Sequence, residues 1–174
     1  AMRAFQSEGM VRAVGMRGPH RYAPERLAAP TGAREDKHAR FRRQFAVVKP
    51  DVLAVRDNLL TPPEHTAGIR EFATEHGLTV LVNKSLAQGL LTGKHNAAAP
   101  PVYADGDHRQ RKTWFTAPAL AALEEQLAPV RDQFGPGRVD LVHAALRWLL
   151  TKWPGAVVLT GFTSVEQVVM NLSA

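Results

Sequence analysis

At 174 residues the chain has the length of one domain, and it is 45% hydrophobic and 22% charged. That composition is ordinary for a soluble globular protein and supplies enough apolar material for a core. No apolar stretch approaches the roughly 20 residues a membrane span needs, and no basic start leads into the apolar run of a secretory leader. The absence of cysteine excludes disulfides, thiolate catalysis and cysteine-ligated metal, and it fits a cytoplasmic protein. A formal charge of +6, from 22 Lys+Arg against 16 Asp+Glu, permits phosphorylated cofactors, acidic partners or nucleic acid and selects none of them.

In chain order, Ala1 reads as a tag scar, and residues 1–8 otherwise hold the end of a preceding helix. Four short apolar runs follow, rich in β-branched residues: Val11–Met16, Val52–Val55, Thr79–Val82 and Ala156–Leu159. Near-continuous strands of this kind suit a parallel sheet covered on its helix side. After the second run, Pro62-Pro63 opens a helix with the stripe Ile69, Phe72, Ala73 and His76, ended by Gly77. After the third, Thr116 is placed to cap a helix whose face is Leu120, Leu123, Leu127, Val130 and Phe134. Gly135-Pro136-Gly137 ends it, and a further helix from Asp140 carries Val142, Ala145, Leu146 and Leu149 up to Pro154-Gly155. The segment from Ser164 to Ala174 reads as a last helix. The whole is one α/β domain of about four βα units, with right-handed crossovers making the sheet parallel. Residues 17–36 and 92–115 are expected to be long loops, which in a compact domain are commonly functional.

The polar candidates are few. Arg17 and His20 follow the first strand and read either as an anion-recognising or proton-transferring pair or as a loop with surface contacts. Asp57 and Asn58 end the second, and Asn83 and Lys84 end the third, where Lys84 is either a phosphate contact or a solvated lysine. For Asp57 and Asn58 a plain strand-end turn competes with a role at a binding mouth. His76 and His143 read as partly buried, satisfied histidines, while His65 and His95 fall in loops. The histidines show no H-x-x-x-H or H-E-x-x-H spacing, so no metal site is expected. The basic run from Arg34 to Arg43, with Phe41 as its one aromatic, reads as a solvated helix, and nucleic-acid binding is set aside.

The third strand continues as Asn83-Lys84-Ser85-Leu86-Ala87-Gln88-Gly89-Leu90-Leu91-Thr92-Gly93-Lys94. This resembles the aldo-keto reductase signature W-S-P-L-x-x-G-L-L-T-G-K at the end of barrel strand seven. In the same order, Gly9–Gly15 resembles the family's G-K-I-R-x-I-G, and Gly106–Arg109 its G-D-x-R. Ala144–Leu150 resembles its A-L-R-W helix, and Thr160–Gln167 its P-G-x-S-S-x-E-Q turn. The resemblance implies the C-terminal half of a (β/α)8 barrel, strands five to eight, since a whole barrel takes about 250 residues. The family's catalytic Asp, Tyr, Lys and His belong to strands two to four and have no counterpart here; Tyr22 and Tyr103 match no catalytic motif.

For the cofactor, the resemblance implies NADPH held through Lys84, Ser85, Leu86, Gln88 and Gly89 on one side. On the other it implies Phe162, Thr163, Ser164, Gln167 and Asn171. The backbone amides of Leu86–Gly89 and Phe162–Ser164 would face its phosphates. Several family positions are substituted. The Ser-Asn and Gln that hold the nicotinamide carboxamide fall on Arg17, Gly18 and Ala54. The aromatic that stacks on the ring falls on Asn83, and the adenine-side Glu falls on Met170. Two readings follow. One is the cofactor-holding half of an NADPH-dependent carbonyl oxidoreductase that takes its catalytic residues from elsewhere. The other is a non-catalytic pseudoenzyme acting as a binding or scaffold module. A four-strand half-barrel has open edges and an apolar inner face, so either a homodimer or a complementary N-terminal half-barrel is expected as partner.

Overall fold

The structure is a computed structural model that describes residues 2–19 and 37–174. His20 and nearly all of the expected 17–36 loop lie outside the described residues. The chain divides into two compact units, Ala1–Ser85 with Leu149–Thr160, and Leu86–Trp148 with Gly161–Ala174. No helix among the described residues is long and apolar enough to cross a membrane.

The first unit holds the sheet. β1 (Gly15–Arg17), β2 (Val52–Arg56), β3 (Thr79–Asn83) and β4 (Val157–Val158) are all parallel and lie in the order 1-2-3-4. This is the α/β architecture expected, a parallel four-strand portion of a barrel. The outer two strands are shorter than their apolar runs. β1 begins only at Gly15 because its partner begins at Val52, and those two residues are paired in register. Val11–Ala13 therefore have no neighbouring strand to bond, whereas the polar Arg17, opposite Ala54, does. Among the described residues β4 pairs on one side only, through Leu81↔Val157 and Val82↔Val158.

Alternation along the strands separates two faces. Leu53, Val55, Val80 and Val82 are 0–7% exposed on one of them. The other carries Val52, Ala54, Arg56, Thr79, Leu81 and Asn83, each at least partly open to solvent, with Val157 48% exposed. The buried side is packed by helices of the same unit. α2 (Lys37–Val48) and α3 (Glu64–Glu75) share an aromatic cluster in which the Phe45 ring lies 4.8 Å from Phe72 and Phe41 lies 5.4 Å from it. Phe41 is 4% exposed, so the basic run is not a wholly solvated helix: its aromatic is core. His76, expected to be partly buried, is exposed instead. It stacks on Phe72 at 4.1 Å and donates from Nδ1 to the Phe72 carbonyl. Gly77 ends α3 in the left-handed region, φ 60°, while the Gly77 and Leu78 amides return to the Thr74 and Ala73 carbonyls. His65 lies on α3, not in a loop. α1 (Met2–Ser7) is tied down by Asp51, which takes Arg3 and Gln6 and the Val14 amide at 2.8 Å. That amide is the main reason the Asp51 carboxyl sits below its ordinary range.

The second unit is helical. α4 (Ala117–Phe134) buries Leu120 and Leu127, but Phe134 at the end of the expected stripe is 52% exposed. Thr116 stands at the N-cap position without capping: its hydroxyl donates backwards to the Thr113 carbonyl at 2.8 Å. α4 also continues through Pro129. α5 (Arg138–Lys152) starts two residues before Asp140, and buries Leu141, Val142, Ala144, Ala145 and Leu146; its last turn belongs to the first unit. α6 (Val165–Leu172) closes the chain. The 92–115 segment is irregular apart from 3-10 turns at its start, at His108–Arg111 and at Thr113–Phe115.

The α4–α5 connection depends on glycine. At Gly135, φ is 114°, and an added Cβ would sit 2.4 Å from the Asp140 carboxylate, which accepts the Gly137 amide at 2.9 Å. Gly135→Ala is expected to destabilise the chain by about 1–3 kcal/mol, read from the urea midpoint.

Candidate functional site

In the first unit the strand ends are built largely from interlocked polar groups. Asp57 is 0% exposed, accepts Trp153 Nε1 at 2.7 Å and the Asn58 amide at 2.9 Å, and forms an ion pair with Lys152 Nζ at 2.8 Å. Asn58 accepts the Leu60 amide and donates to the Lys84 carbonyl at 3.3 Å. Ser85, 2% exposed, donates to the Leu159 carbonyl at 2.7 Å. Asp57 and Asn58 therefore form the strand-end turn, and their polar atoms already serve the fold. Asp57 follows Leu53 and Val55 in the alternation, which places it toward the helices and away from the open face. Arg17 stands exposed at the end of β1, and Asn83 and Lys84 are half-buried at the end of β3.

Backbone strain gathers where the signature begins. Lys84, Ala87 and Gln88 have φ of 61°, 49° and 60°, and Gly89 has 101°. Three non-glycine residues in the left-handed region within five positions cost of order 1 kcal/mol each, a cost that tends to collect at binding sites.

In the second unit, Leu86 leads into a 3-10 turn over Ala87–Thr92. The Gly89 amide donates to the Leu86 carbonyl at 2.8 Å, and the Thr163 amide to Gln167 Oε1 at 2.8 Å. Two of the amides expected to face phosphate are thus used within their own turns. Ser164 caps α6, its Oγ accepting the Gln167 amide at 3.4 Å, and its hydroxyl is the largest cause of the lowered Glu166 carboxyl pKa. Phe162 is 61% exposed. Asn171 keeps both amide atoms, Oδ1 and Nδ2, buried with no hydrogen-bond partner, an arrangement that is costly unless something else supplies one.

Beside the Gly89 turn lies a cluster that sequence reasoning passed over. A Cβ on Gly89 would be 3.3 Å from Lys94 Cε and 3.4 Å from His95 Nε2. Arg138 donates from Nε to the Thr92 carbonyl at 3.2 Å. The 5%-exposed Phe115 ring takes His95 and Tyr103 edge-on, at 5.4 and 5.2 Å. Arg109, paired with Asp107 at 2.5 Å, covers the Tyr103 ring at 4.2 Å. His95 Nε2 and the Tyr103 hydroxyl are buried without a partner. Burial first, then Lys94, Arg109 and Arg138, depress the His95 pKa; burial raises that of Tyr103. His95 thus carries information that its loop position hid, and Lys94 and Arg109 were present in the T-G-K and G-D-x-R motifs without an assigned role. His143 is the satisfied histidine expected, its Nε2 2.9 Å from the Met170 carbonyl. Among the described residues no group of three or more acidic or histidine side chains is placed to hold a metal.

A pH dependence follows from His95. Its folded pKa lies below the unfolded value of about 6.5, so the unfolded chain binds more protons between the two. The neutral ring's contribution is complete above about pH 6.5 and falls as pH drops toward the folded value. Urea midpoints at pH 7.5 and 5.5 are expected to differ less in His95→Gln than in the parent chain.

The chain is 30% identical over 137 residues to uncharacterized oxidoreductases of Mycobacterium tuberculosis and Mycobacterium bovis, an alignment covering 78% of this chain and 41% of theirs. The solved structure of a glycerol dehydrogenase from Gluconobacter oxydans superposes with a TM-score of 0.66 at 22% identity, covering 99% of this chain and 47% of that one. The chain thus spans less than half the length of these relatives. The sequence pattern of the aldo/keto reductase family matches residues 1–174, the whole chain, and the chain belongs to that family.

Proposed function

We propose that this chain is the cofactor-holding part of a cytoplasmic NADP(H)-dependent aldo-keto oxidoreductase. A complementary N-terminal half-barrel would contribute the groups that move the proton. The observation that carries this reading is Lys94 beside the strained Gly89 turn, with His95 next to it and Arg138 donating to the Thr92 carbonyl where that turn ends. Cations beside a turn that leaves little room for a Cβ suit a pyrophosphate, and charge-assisted hydrogen bonds are the strong ones. The buried, unpartnered Asn171 amide offers one donor and one acceptor, which matches an adenine edge. NADP(H), when bound, supplies the hydride; these residues bind and orient its phosphates and adenine. The open sheet edges, and the exposed apolar stripe Val165, Val169 and Leu172 on α6, support a partner as part of the reading. The complementary half is preferred to a homodimer because the chain covers 47% of the superposed dehydrogenase.

A second reading, a pseudoenzyme that binds without turnover, is favoured by one observation. Ala54, at the position expected to hold the nicotinamide carboxamide, has no side-chain hydrogen-bonding group. Tryptophan quenching on NADPH titration, at low and moderate salt with NADH as control, tests both readings. Micromolar, NADPH-selective binding is expected for the cofactor-holding reading. No binding up to millimolar concentration would overturn it and leave the scaffold.

A further inference from the structure

Two arginines meet on the open face of the sheet. In a parallel sheet, residues paired in register point to the same side. Arg17 pairs with Ala54, and Ala54 with Leu81; Arg56, two residues beyond Ala54, pairs with Asn83. Arg17, Arg56 and Asn83 therefore share the open face at the carboxyl ends of β1, β2 and β3, the end at which barrels of this class build their sites. Ala54, directly between Arg17 and Leu81, leaves space under the two guanidinium groups.

Among the described residues these arginines lack the partner that such a position calls for. Arg56 Nε is buried with no hydrogen-bond partner. Among the described residues no carboxylate is paired with either guanidinium. The nearest acid along β2, Asp57, points to the opposite face and is engaged by Lys152 and Trp153. Arg17 lies close enough to Arg56 that its charge, after burial, further disfavours the protonated Arg56. Two like charges side by side, one with a buried unsatisfied donor, cost stability unless an anion joins them. Guanidinium forks take planar or tetrahedral oxyanions through paired hydrogen bonds, and the Asn83 amide adds a neutral donor.

We infer that Arg17, Arg56 and Asn83 form an oxyanion site at the carboxyl rim of the open sheet face, which takes the phosphate or carboxylate group of a small organic ligand. It is separate in the chain from the Lys94–Arg138 cluster and does not rest on the reductase reading.

The test is a titration of the full 174-residue chain, labelled with nitrogen-15, with inorganic phosphate and in a second arm with succinate. The arginine Nε–H signals report the site, and calorimetry gives the affinity. The Arg56 signal is expected to shift with saturation, and the anion that binds more tightly names the headgroup. Arg17→Gln and Arg56→Gln are each expected to weaken binding about tenfold, consistent with loss of a charged hydrogen bond. Arg17 is exposed on an edge strand, so its variant is expected to fold; Arg56→Lys, which keeps charge but loses the fork, is expected to weaken binding as well. Lys94→Ala is expected to leave the Arg56 shift intact. Anion shifts confined to the amides of residues 86–94, or parent-like affinity in both glutamine variants, would overturn the assignment.

Discussion

Replacing Asp57 by alanine is expected to destabilise the chain by about 3–5 kcal/mol, enough to unfold a domain of ordinary stability. The carboxylate is fully buried and joins three elements: the end of β2, the last turn of α5 through Lys152, and Trp153 beyond it. Its removal takes the acceptor from the Trp153 indole N–H and the opposite charge from Lys152, and losses of this kind account for most of such a cost. The double replacement Asp57→Leu with Lys152→Met is expected to restore much of the stability, since an apolar pair of similar volume is often neutral in place of a buried ion pair. Urea unfolding of the single and double variants checks both statements. A single variant within about 1 kcal/mol of the parent would mean that the pair is weakly coupled to the fold.

The largest effect on binding is expected at Lys94. Its Nζ stands 3.7 Å from where a Gly89 Cβ would be, beside the turn assigned to the cofactor's phosphates. Lys94→Ala is expected to weaken NADPH about 10- to 100-fold, the equivalent of about 1.5–3 kcal/mol for a hydrogen bond to a charged group. The parent's affinity is expected to fall with added salt, and the variant's more gently. An unchanged dissociation constant would remove Lys94 from the cofactor site while leaving the family assignment intact.

How much could be read from the residues varied along the chain. β2 and β3 were legible because each is flanked by partners on both sides, so that nearly every apolar residue in the run is paired. β1 and β4 were legible in place but not in extent, since an edge strand ends where its single neighbour ends. Gly77 was correct as a helix stop because a left-handed φ of 60° is a local demand that glycine meets unaided. Phe41 was misplaced in solvent because charge dominated its neighbours, whereas Phe72, far off in sequence, supplied the packing. His95 looked uninformative because its burial depends on Phe115, twenty residues further on.

The family, the parallel α/β class and the order of the strands are legible along the chain. Each of these is carried by contiguous motifs or by short-range periodicity. Which polar groups are engaged by the fold, and which are left open, emerges only once distant segments pack together. Asp57 and Ser85 are held by partners in the distant 152–159 segment, which no local pattern shows. Arg56, which no motif singles out, holds a buried donor beside a second arginine because register sets which side chains share a face. Register and burial are non-local quantities, and no window along the chain contains them.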